Sequence, residues 1–333
     1  MAGVEIIEVD GEEEGMRLDR WFKAHYPGLG FGALQKLLRS GQIRVDGGRV
    51  KSDTRLQKGQ SVRIPPMQTD RASAGAGNMT AHSIRNTGDA EAIRKMTLFE
   101  DERVLVINKP PGLSVQGGSN VPRHIDGMLE ALRNKKGEKP RLVHRLDRDT
   151  SGVLMVAKTR SAAQKLSEAF RHRETKKTYW ALVKGAPPKT EGTIKSWLLK
   201  KQTPDGDRME VVRHGVKGAD HAVSNYRIVE RIGQRMTWLE LEPYTGRTHQ
   251  LRVHTLQMEC PILGDPKYFE DDPNWDFPGG IQNKLHLHAR RLRIPHPSGG
   301  TMIDVSAPMP QHMVQSWNLL GLEEASGDEM EES

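Results

Sequence analysis

Apolar positions along the chain change period in a way that predicts its elements. Leu18, Trp21, Phe22 and His25 recur at helical spacing, with Arg17, Arg20 and Lys23 largely off that stripe and Pro27-Gly28 as a stop. A second helix is predicted from Gly32 to Ser40. It turns Leu34, Leu37 and Leu38 inward and Lys36 and Arg39 outward, and Gly41 ends it. Ile43 and Val45 then alternate with Gln42 and Arg44, and Asp46-Gly47-Gly48 reads as a hairpin turn before Val50. Val62–Ile64 is a last short strand before Pro65-Pro66.

Residues 67–95 are rich in Ala, Gly, Ser, Thr and Asn, show no period, and read as a flexible linker. From Met96 strands dominate: Val104–Asn108, Gly152–Ala157, Thr178–Val183, Ala222–Val229 and Met236–Glu242. Ala162, Leu166, Ala169 and Phe170 mark a helix over Ser161–Arg171. No internal repeat is evident. The pattern divides the chain into an N-terminal segment (1–15), a small domain (16–66), the linker, a larger strand-rich domain (96–320) and a tail (321–333) expected to be disordered.

The length of 333 residues suits about two domains of roughly 150 residues each. No apolar run reaches membrane-spanning length, and the acidic start lacks the layout of a secretory signal. Cys260 is the single cysteine, which excludes an internal disulfide and cysteine-based zinc sites and makes a reducing cytoplasm the expected setting. The net charge is +7, and six acids within 323–332 conceal +13 on the rest. Residues 16–65 hold eleven Lys and Arg against three acids. Such a body attracts polyanions, so nucleic acid is the leading partner, although charge of this kind also simply keeps proteins soluble. The acidic tail is expected to be a solvating segment; the alternative is competition with RNA for the basic surface.

The stretch Arg141–Lys158 (RLVHRLDRDTSGVLMVAK) concentrates the candidate chemistry. Leu142, His144 and Leu146 alternate with Val143, Arg145 and Asp147, as in a strand that ends at Asp147. Arg145 and Arg148 flank that carboxylate, and nearby cations favour its charged form and hold phosphates beside it. A salt-bridged turn fits the same residues. Further on, Thr248 is expected to cap a helix that puts His249 and Arg252 on one face. His286 and His288 alternate on a strand, a geometry that could ligate metal, but no third ligand is evident and structural histidines are expected.

HRLDRDTSG, with the apolar strand and Lys158 behind it, resembles the signature of the RluA family of pseudouridine synthases. The resemblance extends over most of Met96–Gln311. It takes in LVINKPPGLSVQG from Leu105, the Lys-x-Tyr segment Lys177–Tyr179, GRTHQLRVH from Gly246, PILGD from Pro261, and Leu287-His288-Ala289. The two helices, turn and small strands of residues 16–66 resemble the alpha-L RNA-binding module, and the combination is most similar to RluC-type enzymes. This implies an α+β fold: a catalytic domain with a bent, mostly antiparallel mixed sheet, plus a small alpha-L domain.

The expected activity is isomerisation of specific uridines to pseudouridine in large-subunit (23S) ribosomal RNA, by a monomer without cofactor or metal. The resemblance makes Asp147 the catalytic carboxylate, Tyr179 the ring that stacks on the target base, and Arg252 the basic partner of the aspartate. It also implies substrate contacts at Arg145, Arg148, Lys109, Arg247, His249 and Leu287. Arg17, Arg20, Lys23, Lys36, Arg39 and Arg44 are the candidate RNA contacts of the small domain. Tyr179 alternates with Trp180 and could equally be core. Three alternatives stay open: a non-catalytic RNA-binding or ribosome-assembly factor, another RNA-modifying enzyme such as a methyltransferase, and a glycosidase using Asp147 and Asp149.

Overall fold

The computed structural model describes residues 4–26, 29–66, 79–117, 121, 123–134, 137–172, 174–203, 206–269 and 279–328. The chain divides into two compact units, Met1–Ile84 and Arg85–Ser333.

In the first unit the two amphipathic stretches are helices α1 (Leu18–His25) and α2 (Phe31–Arg39). Their apolar faces meet a small sheet in the order β1 (Glu5–Glu8), β3 (Ser61–Ile64), β2 (Arg44–Val45), all antiparallel. Leu18, Trp21, Phe22, Leu34, Leu38, Ile43, Leu56, Val62 and Ile64 form its core. Asp46 (φ 49°) and Gly47 (φ 76°) make the expected tight turn, closed by paired bonds between Val45 and Gly48. Val50 lies outside any strand, because β2 pairs with β3 instead. The N-terminal segment is not separate: β1 is an edge strand of this sheet and Val9 is buried. The stop expected at Pro27-Gly28 lies outside the described residues.

Arg20, Lys23, Lys36 and Arg39 are exposed on the helices. Arg17 and Arg44 differ from expectation. Arg17 pairs with Asp19 at 2.6 Å, and Arg44 donates to the carbonyls of Gly41 and Gly47, so both guanidinium groups serve local structure.

Helix α3 (Met79–Met96) occupies much of the predicted linker, and its residues from Arg85 on belong to the second unit. Ile93 is buried in the core and Asp89 pairs with Arg123 at 2.9 Å, so tertiary anchoring supplies what local periodicity lacked. Residues 67–78 lie outside the described residues. The chain then forms β4 (Thr97–Glu100), β5 (Val104–Lys109), α4 (Ile125–Met128), β6 (Arg141–Leu142), β7 (Ser151–Ala157), α5 (Arg160–Ala169) and β8 (Lys176–Lys184). It continues through β9 (Glu191–Thr203), β10 (Gly206–Val212), β11 (Asp220–Ile232), β12 (Met236–Pro243) and α6 (Gln250–Gln257). The last elements are β13 (Leu287–Pro295), β14 (Met302–Ser306), α7 (Gln311–Leu320) and α8 (Glu324–Asp328).

Among the described residues, eleven strands join in one mixed sheet, ordered β10-β9-β11-β12-β8-β13-β7-β5-β4, with β14 on β13 and β6 on β7. Every pairing is antiparallel except β13 with β7. The architecture is α+β. The central strand β7 is buried throughout and β8 is buried from Trp180 to Val183, which is why they read as apolar runs. No helix among the described residues is long and apolar enough to cross a membrane.

The tail departs from expectation. Leu322 is buried, Glu324 pairs with Arg290 at 3.1 Å, and Gly327 lies so close to Trp180 and Trp238 that a Cβ would come within 2.6 Å of the Trp180 ring. Its acids made it look solvated, but an apolar contact and one ion pair fasten its first turn. Residues 329–333 lie outside the described residues.

His286 and His288 are buried and hydrogen-bonded, His286 to Ser316 Oγ and the Lys284 carbonyl, His288 to Ser151 Oγ and the Ala307 carbonyl. Burial pushes both pKa values, and that of His254, down to about 4. The unfolded chain therefore binds more protons than the folded one between about pH 4 and 6.5, so stability falls as pH drops through that window. Each histidine contributes up to about 1.4 kcal/mol per pH unit there. Urea unfolding at pH 7 and pH 5 is expected to show the second unit markedly less stable at pH 5.

Candidate active site

Asp147 lies in an irregular run between β6 and β7. The strand predicted to reach it stops at Leu142. The ladder ends because the His144 side chain takes over: its Nε2 accepts the N–H of Met155 at 2.8 Å. That role needs a neutral ring, and burial pushes the His144 pKa down to about 3. Leu146 is buried on the core side, which leaves Asp147 facing the opposite way. Past the turn, Gly152 (φ 110°) sits against β13, where a Cβ would meet the Ala289 carbonyl oxygen at 2.2 Å. Only glycine allows this approach, which brings β7 beside the Leu287–Ala289 segment.

Lys109 braces the same loop from below. It is fully buried, and its Nζ donates to the carbonyls of Pro110, Leu113 and Arg148, each at 2.9 Å. Burial lowers its pKa to about 7, against the opposing charges of Asp149 and Asp147. The three acceptors match the three N–H groups of an ammonium. The expected substrate contact is corrected: Lys109 ties the Lys-Pro-Pro-Gly turn to the Asp147 loop and does not line the cavity beside Asp147.

That cavity encloses about 460 Å³ and is lined by, among others, Arg145, Asp147, Lys177, Tyr179, Arg252 and Leu287. It brings together seven of the nine expected catalytic and substrate residues, adding Arg247 and His249 to five of these six. Arg148 is the other exception. It points away, its Nε donating to the Gly112 carbonyl at 3.2 Å.

The basic groups nearest the Asp147 carboxylate are also not the two flanking arginines. Arg252 Nη1 stands 3.5 Å from Oδ2 and His249 Nε2 stands 4.0 Å from it. Neither Arg145 nor Arg148 approaches it as closely as these two. Arg148 turns to the Gly112 carbonyl and Arg145 is exposed at the rim, whereas α6 presents its first turn to the loop.

Asp265 fixes Arg252. Its two oxygens accept from Arg252 Nε at 2.7 Å and Nη2 at 2.6 Å, a buried bidentate pair that leaves Nη1 for Asp147. The Tyr268 ring stacks 5.1 Å from the guanidinium carbon. Burial opposes the Arg252 charge, but the hydrogen bonds and charge of Asp265, with Asp147 behind, hold its pKa above the ordinary value.

The turn before α6 also differs from expectation. His249, not Thr248, is the N-cap, in the left-handed region (φ 52°, ψ 18°) and without a side-chain cap. The buried Gln250 side chain ties the turn, accepting from Thr245 Oγ1 and the Arg247 N–H and donating to the Val223 carbonyl and Ser224 Oγ. His249 Nδ1 lies 2.9 Å from the Tyr268 hydroxyl, which accepts the Met209 N–H. Burial lowers the His249 pKa, Asp147 opposing and Arg252 reinforcing the shift.

Tyr179 lies half-buried on β8, its pKa raised by burial and then by the charge of Asp147, so it stays a neutral phenol. Leu287 gives an apolar wall. Lys177, two residues from Tyr179 on the same strand face, also lines the cavity, and burial brings its pKa down to about 8. In the sequence, Lys177 and Asp265 stand out only as parts of longer segments. Their roles come from contacts between distant elements.

A carboxylate beside a fixed guanidinium, an apolar wall and a neutral aromatic ring, on a cleft edged with arginines, is equipment for carboxylate chemistry on a flat heterocycle of a polyanion. The comparisons with known proteins agree. Residues 103–257 match the RNA pseudouridylate synthase family. The chain is 35% identical to ribosomal large subunit pseudouridine synthase C of Haemophilus influenzae, over 94% of each chain. It is 35% identical to the Escherichia coli protein of the same name, over 92% of this chain and 94% of that one. The solved structure of human RNA pseudouridylate synthase domain containing 4 is similar with a TM-score of 0.60 and 30% identity, over 73% of this chain and 98% of that chain. The protein belongs to the RluA family of RNA pseudouridine synthases, in its RluC-type branch.

Removing Asp265 leaves the Arg252 charge buried without its bidentate partner. Asp265→Ala is expected to cost about 3–5 kcal/mol of stability, read by urea unfolding, and to lower activity through misplacement of Arg252.

Proposed function

We propose that the protein isomerises specific uridines of large-subunit ribosomal RNA, with Asp147 as its catalytic carboxylate. The observation that carries the reading is the placement of the Asp147 carboxylate 3.5 Å from a buried, bidentately anchored Arg252, in a cavity walled by Tyr179 and Leu287. The relatives named for the large ribosomal subunit support the choice of RNA.

The reaction breaks the bond between uracil N1 and the ribose, turns the ring, and joins C5 to the same ribose carbon; the C5 proton is lost and N1 gains one. Nothing is oxidised and no group enters from outside. The uracil must first leave its stack to reach the cavity. Arg145, exposed at the rim two residues before Asp147, fits a role in holding the displaced strand. Inside, Tyr179 gives the ring a stacking face, Leu287 excludes water, and Arg252 orients the carboxylate as charge shifts between base and sugar. Asp147 serves as nucleophile or stabilises a sugar cation.

Exposed Arg20, Lys23, Lys36 and Arg39 on α1 and α2 fit phosphate contacts, which add affinity and position RNA without reading sequence. Arg17 and Arg44, held by local partners, contribute less.

Three experiments test these assignments. Asp147→Ala is expected to abolish pseudouridine formation in large-subunit rRNA while RNA binding by gel shift survives; modification that persists in this variant removes Asp147 from the mechanism. Mapping pseudouridines in cells lacking the gene identifies the uridines, and an unchanged map removes the substrate. Replacing Lys36 and Arg39 together by alanine is expected to weaken RNA binding and reduce its log–log salt slope by about 2, roughly 1 for each phosphate no longer neutralised.

A further inference from the structure

The outer half of the cavity holds an aromatic residue that the reaction on one uracil does not use. Tyr244 lines the cavity and is 56% exposed. It follows the last residue of β12, immediately before the turn that carries Arg247 and His249. Its position is fixed at both ends. Its backbone N–H donates to the Val223 carbonyl at 3.0 Å. Its hydroxyl accepts from Asn225 Nδ2 at 3.1 Å, and Asn225 Oδ1 in turn accepts from Thr193 Oγ1 at 2.8 Å. A large ring is thus ordered at an open mouth with much of its surface in water.

Exposing an aromatic ring forgoes burial energy, and ordering it in advance suits a flat ligand that covers it on arrival. Two further features say what that ligand is. The cavity, at about 460 Å³, has more room than one uracil ring fills, and its inner wall already serves that ring. Its rim carries Arg145, Arg171 and Arg247, all exposed, so whatever lies over Tyr244 runs beside cations. A base on a phosphate backbone meets both conditions.

We propose that Tyr244 is a stacking platform for a second unstacked base of the substrate RNA, the neighbour of the target uridine. This rests on the RNA-modifying reading above and adds to it a subsite outside the reacting ring. Stacking tolerates any base but favours purines, whose larger rings cover more of the phenol, so the platform contributes to the choice of uridine through the nucleotide beside it.

The test uses the full-length enzyme and a hairpin transcript of large-subunit rRNA around a mapped uridine. Tyr244→Ala is expected to raise KM about 10-fold to 100-fold with kcat nearly unchanged, the size of one lost base–aromatic stack. Tyr244→Phe and Tyr244→Trp are expected to retain most of the affinity. An abasic site at the stacked neighbour should impair the wild type by a similar factor and leave Tyr244→Ala unaffected. In a separate binding measurement, 2-aminopurine at that neighbour should be quenched by the wild type and not by Tyr244→Ala. Equal quenching by both proteins, or an unchanged KM in Tyr244→Ala, overturns the platform. The fluorescence reads stacking without turnover, so a wild-type enzyme that quenches but forms no pseudouridine overturns the modification reading and leaves the platform supported.

Discussion

The buried pair between Arg252 and Asp265 is the constraint on which the site depends. A guanidinium brought out of water carries a large desolvation cost, and only a partner that matches its fork offsets it. Asp265 provides that match with bonds of 2.7 and 2.6 Å and receives the backbone N–H groups of Lys267 and Tyr268 in return. Arg252 consequently has one defined orientation and one remaining direction for its charge, toward Asp147. An arginine free to move would offer the carboxylate no fixed geometry.

The rest of the fold delivers Asp147 to that point. Lys109 holds the loop from one side with three carbonyl acceptors, His144 replaces a ladder bond behind it, and Gly152 permits the close parallel contact with β13. Lys109 and Gly152 belong to two paired strands of one sheet, β5 and β7, and His144 to the loop itself. Tyr179 and Leu287 come from two paired central strands, β8 and β13, and the strained His249 comes from the turn into α6. The wall formed by Tyr179 and Leu287 is therefore built on paired strands, while exposed Arg145, Arg171 and Arg247 sit in loops and turns.

Much of this is legible in the chain alone. Period-2 and period-3.6 patterns find the principal strands and the helices of the first unit, because those elements turn a single face to a core. The run from His144 to Gly152 marks the Asp147 loop. Harder to see are β9, β10, β14 and the second half of β13. Their charged residues, such as Lys195, Lys200, Arg291 and Arg293, interrupt the apolar signal on strands with one wet face. The helix over Met79–Met96 and the docked turn after Gly321 escape the pattern for a different reason: both are held by contacts with distant residues, not by local propensity.

The sequence by itself determined the family, the carboxylate to test first, and the division between a small basic domain and a strand-rich one, because each is written in residue types at fixed spacing. The resemblance named Arg252 as a partner of the carboxylate, but only the tertiary structure decided that it, and not a flanking arginine, stands nearest to Asp147. Arg145 and Arg148 are its neighbours along the chain, yet Arg148 donates to the Gly112 carbonyl and Arg145 is exposed at the cavity rim. Arg252 lies far along the chain from Asp147 and is placed by the meeting of a helix, a sheet and Asp265. The same logic turned Lys109 from a substrate contact into a buried brace: only packing shows which side of the loop an ammonium occupies.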